Sequence, residues 1–341
     1  MAFYLTSNII IGEDLVKPNK VTWKTDVNTF IDSCSITLPR ITYIENTEPD
    51  KTKDIQRTKY KFKEGDKVSV SLGYNQKNIK RFEGFVRRVG MGIPVVLECE
   101  GYGYQLYDIM FNKTYAKVTV KQLLTDLIQG TDIVLSKEIP DIPLKNVRFK
   151  NATGIQVLQW LKKECALSVY FNFNELFVGT MFMKVQDHVK VRIGWNVVKD
   201  DDFRQRLVDK NIKIVIREKD QKGEVKKTKS SEKSKTKTET KPKAPRLDRY
   251  SNEKAVKIKA GLPSELLRQI ADRIQTKENY KGYEGDITLF LEPYVNKGMV
   301  MELDGGMYPE KSGNYFVEAI SGEFGENGGR QVVTLGFLMQ K

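Results

Sequence analysis

The sequence predicts an α+β chain, mainly antiparallel β, built from two related small β-barrels with an α/β unit inserted between them. Three observations lead there. Apolar residues recur with a period of two toward both ends of the chain and with a helical period in between. Glycine-rich clusters punctuate the period-two runs. The two β regions also repeat one order of events. At 341 residues, 40% hydrophobic and 10% aromatic, the chain has enough apolar surface for about two domains.

The first β-barrel domain is read over residues 1–112. Val68, Val70 and Leu72 alternate with Lys67, Ser69 and Ser71 and stop at Gly73, and Phe82 to Val89 and Val95 to Cys99 continue the period. Phe82 and Val86 share one strand face while Phe85 lies on the other, giving a core side and an outer side. Glu45 to Arg57 is polar and without period, which predicts a surface loop. Gly101-Tyr102-Gly103-Tyr104 reads as a strand-end turn beside aromatic packing, because a phosphate cradle needs a following Lys-Ser/Thr and a helix start.

The inserted α/β unit spans 113–185. Thr119 is a fitting N-cap for a helix whose Val120, Leu123, Leu124, Leu127 and Ile128 form one face and which Gly130 stops. A second helix opens at Asn151 or Thr153, with Val157, Leu158, Leu161 and Cys165 on its stripe. SVYFNF and ELFVGTM then form a hairpin around Asn174.

Residues 186–341 are read as the second β-barrel domain, with a helix at 264–277 and a basic flexible excursion at 217–249. Pro263 and Ser264 precede the stripe Leu266, Leu267, Ile270 and Ile274. The strands Asp286 to Glu292, Val300 to Leu303, Tyr315 to Ser321 and Gln331 to Phe337 are separated by the turn clusters Asp304-Gly305-Gly306 and Glu326-Asn327-Gly328-Gly329. After Val225 the excursion has almost no large apolar side chain, so burial cannot offset the entropy of ordering it. Its first part admits two readings: a disordered basic loop, or a hairpin that continues a strand at Asn211 to Ile216 through Asp220-Gln221-Lys222-Gly223 up to about Lys237. Lys226, Lys227, Lys229, Lys233, Lys235 and Lys237 form a candidate partner-contact segment. Asp200, Asp201 and Asp202 read as a solvated turn, and His188, within MKVQDHVKVRI, as a surface residue on a strand.

The repeat runs as follows. FKEGDKVSVSLGY, RFEGFVRRV and VVLECEG in the first β region match YVNKGMVMELDGG, NYFVEAISG and VVTLGF in the second, about 233 to 237 residues on. Val68 to Leu72 and Val300 to Leu303 should therefore occupy equivalent places, with Phe82 and Tyr315 near the starts of equivalent strands.

Composition narrows the chemistry. A single histidine, His188, removes most acid/base triads and multi-histidine metal sites. Cys34, Cys99 and Cys165 lie about 65 residues apart, with neither zinc nor disulfide spacing, and read as reduced, buried thiols. GxSxG, P-loop, GxGxxG, HExxH and CxxC motifs are all missing from the sequence. No enzyme activity, catalytic residue, cofactor or metal is expected. The net charge of +13 would favour an anionic partner, but +7 of it sits between Arg217 and Arg249, so specific nucleic-acid binding is not expected. No signal peptide or membrane span is read, and assembly in a host cytoplasm is expected.

On these residues the chain resembles the late-control protein D family of tailed phages, the baseplate hub proteins related to the N-terminal half of type VI secretion spike proteins. The C-terminal stretches SELLRQIADRI, DITLFLEP, VNKGMVMELDGG, YFVEAISGEF and GRQVVTLGF follow the family's order. SITLPR, FKEGDKVSVSLGY, RFEGFVRRV and ECEGYGYQL support it toward the N-terminus, and LLTDLI and LQWLKKE in the middle. The chain departs from the family's pattern in its long Lys/Thr-rich segment.

The resemblance implies a homotrimer in which three chains of two barrels make a pseudo-sixfold ring. Such a ring joins the tail tube, or its initiator protein, to a trimeric spike among other baseplate components, in a phage virion or a contractile injection machine. Two readings from other classes stand beside it. A cell-wall glycan-binding or hydrolytic tail protein would need a paired-carboxylate cleft. A basic nucleic-acid-binding protein would need its cations on one folded face.

Overall fold

A computed structural model describes residues 4–46, 54–57, 61–179, 187–206, 212–219, 225–229, 252–258 and 262–339. The N-terminal region supplies β1 (Leu5–Ile11), β2 (Asp14–Val16), β3 (Lys20–Asp26), β4 (Ser33–Leu38), β5 (Ile41–Asn46), β6 (Asp54–Arg57), β7 (Lys67–Tyr74), β8 (Lys77–Val89) and β9 (Val95–Glu100). The middle supplies β10 (Met110–Thr119), α1 (Val120–Leu127), β11 (Val134–Leu135), β12 (Pro143–Thr153), α2 (Gly154–Glu164), β13 (Ser168–Asn172) and β14 (Glu175–Gly179). The C-terminal region supplies β15 (His188–Arg192), β16 (Val197–Arg206), β17 (Ile212–Lys219), β18 (Val225–Lys229), β19 (Asn252–Ile258), α3 (Ser264–Asn279), β20 (Gly282–Phe290), β21 (Val300–Asp304), β22 (Gly313–Gly325) and β23 (Gly328–Leu338).

Period two becomes pleat. Val68, Val70 and Leu72 are fully buried and pack with Ile36, Phe82, Val86 and Leu97 in the N-terminal core. Phe85 points the other way into the central core, so β8 is buried on both faces where the α/β unit covers it. Asn75 and Gln76, at φ +51° and +67°, form the two-residue turn between β7 and β8, the left-handed pair that matches strand twist. The strand thus begins at Lys77, and Phe82 stands in mid-strand rather than at its start.

The helices start where the sequence places them. Thr119 caps α1 by accepting from the Gln122 amide at 3.2 Å while Gln122 Oε1 accepts from the Thr119 amide at 3.1 Å, and Gly130 at φ +84° follows its end. Thr153 and Gln156 cap α2 in the same way. β13 and β14 close the expected hairpin over Phe173 and Asn174. In α3, Leu267, Ile270 and Ala271 are buried in the central core with α1 and α2. The helix read into the second β region at 264–277 therefore packs on the α/β unit.

The chain is mostly antiparallel β with three helices among its described residues. A 15-stranded sheet runs in the order β16-β20-β23-β22-β3-β4-β9-β8-β7-β1-β2-β5-β6, with β21 and β15 branching from β22. Two separate closed barrels do not form among the described residues. The outer edge of β3 takes its hydrogen bonds from β22 of the other region, so the two regions become sectors of one sheet.

The repeat is present in the topology. In the first sector the lateral order is β3-β4-β9-β8-β7-β1, and in the second β16-β20-β23-β22-β21-β15. Numbered by appearance along the chain, both read second, third, sixth, fifth, fourth, first. β7 and β21, which carry Val68 to Leu72 and Val300 to Leu303, hold the same place. One polarity differs: β1 pairs with β7 antiparallel, whereas β15 pairs with β21 parallel.

Three further expectations change. Residues 45–57, read as a surface loop, contribute to an antiparallel pair in which Ile41 to Ile44 face Arg57 to Asp54, with 47–53 outside the described residues. Asp200 to Asp202, read as a turn, lie within β16, whose register with β20 shifts between Val197 and Asp202. Within it Asp202 stands opposite Asp286, and Asp200 pairs with Lys311 at 2.7 Å. The excursion 217–249, read as flexible, begins as a strand: β17 pairs antiparallel with β18 and parallel with β19, because Ile214 and Val215 are buried and hold the sheet against α3.

Candidate assembly surface

The two sectors meet where β3 and β22 pair antiparallel from Lys20 opposite Gly325 to Asp26 opposite Ala319. At its centre Trp23 faces Gly322, and a Cβ at 322 would lie 2.0 Å from Trp23 Cζ2. Only glycine leaves room for the indole there. The next row inward brings Trp23 opposite Cys34, and Cys34 opposite Cys99.

Three polar links fasten the junction from below. Lys297 Nζ donates to Asp32 Oδ1 at 2.5 Å, with the lysine side chain 2% exposed. Burial raises the Asp32 carboxyl, and the lysine charge opposes that rise. Arg81 is buried, donates to Leu291 O at 2.5 Å and Gln331 Oε1 at 3.2 Å, and lies 4.8 Å over the Tyr294 ring. Burial lowers its guanidinium to about 10, with Tyr294 and Glu292 offsetting part of the fall. Tyr74 Oη donates to Gly329 O at 3.0 Å. Such desolvated pairs fix register, because displacing either sector leaves a buried charge alone.

On the opposite face the junction forms a groove of about 680 Å³. Thr22, Ser33, Ser35 and Ser321 present hydroxyls there, and Lys24, Arg87 and Arg330 are interleaved with Glu98, Glu100 and Glu323. Lys20 pairs with Glu323 at 3.0 Å and Arg88 with Glu98 at 2.5 Å. Hydroxyls and alternating charges give this face neither an apolar patch nor a one-sign field.

The predicted lysine segment lies elsewhere. Lys226, Lys227 and Lys229 belong to β18, at the edge of the sheet packed on α3, while Lys233, Lys235 and Lys237 lie outside the described residues. His188 is exposed on β15. Tyr102 follows β9 in a short 3-10 turn, packs edge-on against Phe85 with centroids 5.3 Å apart, and donates to Glu83 Oε1 at 2.9 Å. The junction residues Trp23, Asp32, Lys297 and Gly322 were not singled out by sequence. Arg81 beside Phe82 was the available signal, a charge next to a core position on a strand whose neighbours are both apolar.

No protein-family model matches the chain, and no curated protein matches it in sequence. Solved structures do match in fold. A prophage MuSo2 43 kDa tail protein from Shewanella oneidensis is 12% identical, with a TM-score of 0.63 over 97% of this chain and 98% of that one. A tail protein from Neisseria meningitidis MC58 is also 12% identical, with a TM-score of 0.65 over 97% and 96%. The c3393 protein of E. coli is a type VI secretion component described as structurally similar to the T4 tail proteins gp27 and gp5. It is 9% identical, with a TM-score of 0.58 over 97% of this chain and 77% of that one. The resemblance read from the sequence is thus met at the level of the fold: the chain has the fold of these tail and type VI secretion proteins.

Proposed function

We propose that this chain is a structural hub of a phage tail or tail-like contractile injection machine. Three copies form a pseudo-sixfold ring that joins the tail tube to a central spike and contacts other baseplate components. The repeated strand order carries this reading: each chain offers two sectors of equivalent topology, so three chains supply six. The two sectors are related versions of one barrel-like unit, with residues 1–112 and 186–341 as its two domains and 113–185 inserted between. The protein works through interfaces rather than turnover, without cofactor or metal. The mixed-charge face over the junction lines the ring's passage, where a surface that does not hold phosphates suits the transit of a polyanion. The lysine segment from Lys226 to Lys237 meets an acidic neighbour in the assembly.

Light scattering on the purified chain, alone and with its tube and spike neighbours, tests the reading. A particle of about three times 39.2 kDa is expected. A stable dimer, or one copy per assembled baseplate, overturns it.

A further inference from the structure

We infer that the free edge of β16 is a docking strand for a second copy of this chain, which it meets at the β8–β9 hairpin arm around Met91. The inference rests on the ring reading and names the surfaces that would close it.

The chain itself shows what covers such an edge. β3 and β16 hold the same place in the two sectors, and β8 and β22 likewise. β3 is covered by the β22 arm, from Ala319 to Gly325. β16 pairs only with β20 among the described residues. From Asp202 to Arg206 its register with β20 is regular, and Asp202, Arg204 and Gln205 are exposed. A straight strand with unpaired backbone is a template for another strand.

The rows across the sheet fix the register. In the first sector Gly322, Trp23, Cys34, Cys99 and Val86 stand in one row. In the second, Phe203, Gly285, Leu335 and Val317 stand in the matching row, and the position beyond Phe203 is vacant. Phe203 is buried as Trp23 is, an aromatic at the same place. Gly322 lies five residues beyond Val317 along β22, and five residues beyond Val86 is Met91. Met91 is therefore the residue of the next copy that faces Phe203.

The arm suits that role. Pairing of β8 with β9 ends at Val89, and the tip that follows leaves Met91 70% and Ile93 72% exposed. Gly90 and Gly92 flank Met91, as Gly322 and Gly325 occur in the arm that covers β3, so little side chain stands in the way of an approaching backbone. Contact of one copy's β16 with the next copy's arm is head-to-tail, and three such contacts alternating with three internal junctions close a ring.

Asp202→Cys with Gly92→Cys in one chain is the test, since antiparallel pairing around Phe203 and Met91 sets these two positions opposite each other. The native cysteines are buried and give little background. Under a disulfide oxidant, the double variant is expected to form covalent dimers and trimers on a non-reducing gel, and either single variant neither. Hydrogen exchange of wild-type residues 202–206 provides a second readout: protection that rises at least tenfold in the trimer over the diluted monomer is expected. A trimer by light scattering with no ladder and no protection overturns this interface while the ring stands. A chain that never trimerises overturns both.

Discussion

Trp23 and Gly322 stand directly opposite each other across the β3–β22 pair, and the indole occupies the volume that any side chain at 322 would need. The two residues come from opposite ends of the sequence, so one close approach couples the two sectors. Gly322→Ala places a methyl 2.0 Å from Cζ2, and relief requires moving an indole that is itself 4% exposed. Overpacking of this kind costs about 1–3 kcal/mol. Trp23→Ala, which opens a cavity, costs about 3–5 kcal/mol. The double variant should lose clearly less than the sum, because the cavity accepts the methyl. Urea unfolding of the four proteins measures the coupling, and strict additivity would mean that the indole does not fill that space.

The buried pair of Asp32 and Lys297 gives a pH-dependent counterpart. Lys297→Met removes the cation and leaves a carboxylate whose charged form burial already disfavours, at about 3–5 kcal/mol near neutral pH. In that variant the folded-state pKa of Asp32 rises further above the unfolded value. Stability from this group is then full below the unfolded pKa and lost as pH rises through the folded one. The gap between variant and wild type should shrink on going from pH 7 toward pH 4. Chemical denaturation at a series of pH values reads this out, and a gap that stays constant or widens would show Asp32 to be hydrated.

How much of this was legible follows from the range of the interactions. Local signals were readable: Thr119 and Gln122, or Thr153 and Gln156, form capping boxes within four residues, and Val68, Val70 and Leu72 declare a pleat on their own. The order of strands along the chain was readable as a repeat, because it is a one-dimensional pattern. Which strand pairs with β3 was not, since Gly322 differs from any turn glycine only through Trp23, almost three hundred residues away. Asp32 and Lys297 lie 265 residues apart and carry no local signal of the burial they share. The Lys/Thr composition of β18 left loop and hairpin both open, because its partner, β17, supplies the apolar residues.

The thiols make a third case. Cys34 and Cys99 lie opposite each other on β4 and β9, and all three cysteines are buried and free. Burial pushes Cys34 and Cys165 well up, and Cys99 to about 12, with Cys99 adding to the rise at Cys34. The native chain should therefore resist iodoacetamide at pH 8, while the unfolded chain takes three labels. A raised thiol pKa also means that the unfolded state releases its protons first. Stability should fall as pH rises above about 9, toward the native values. Fast labelling of any thiol in the folded chain, read by intact mass, would contradict the burial.

The lysine-rich segment divides at Lys229. Composition would make all of residues 225–245 dispensable for folding, but Val225–Lys229 is β18, paired along its length with Lys219 to Val215 of β17. Replacing 230–245 with a short Gly/Ser bridge should leave the melting temperature within about 2 °C, since its composition offers almost no apolar area to bury. Extending the replacement to Val225 strips β17 of one ladder beside the buried Ile214 and Val215, and a fall of roughly 5 °C or more is expected. Assembly with neighbouring components should respond differently: loss of Lys233, Lys235 and Lys237 should weaken it in low salt and make little difference near 1 M, where the Debye length is about 3 Å. Scanning calorimetry of the two replacements, with sedimentation of the assembled particle at both salt concentrations, separates the roles. Equal melting temperatures for the two replacements would show that β18 contributes nothing to the core, and salt-independent assembly would remove the lysines from the interface.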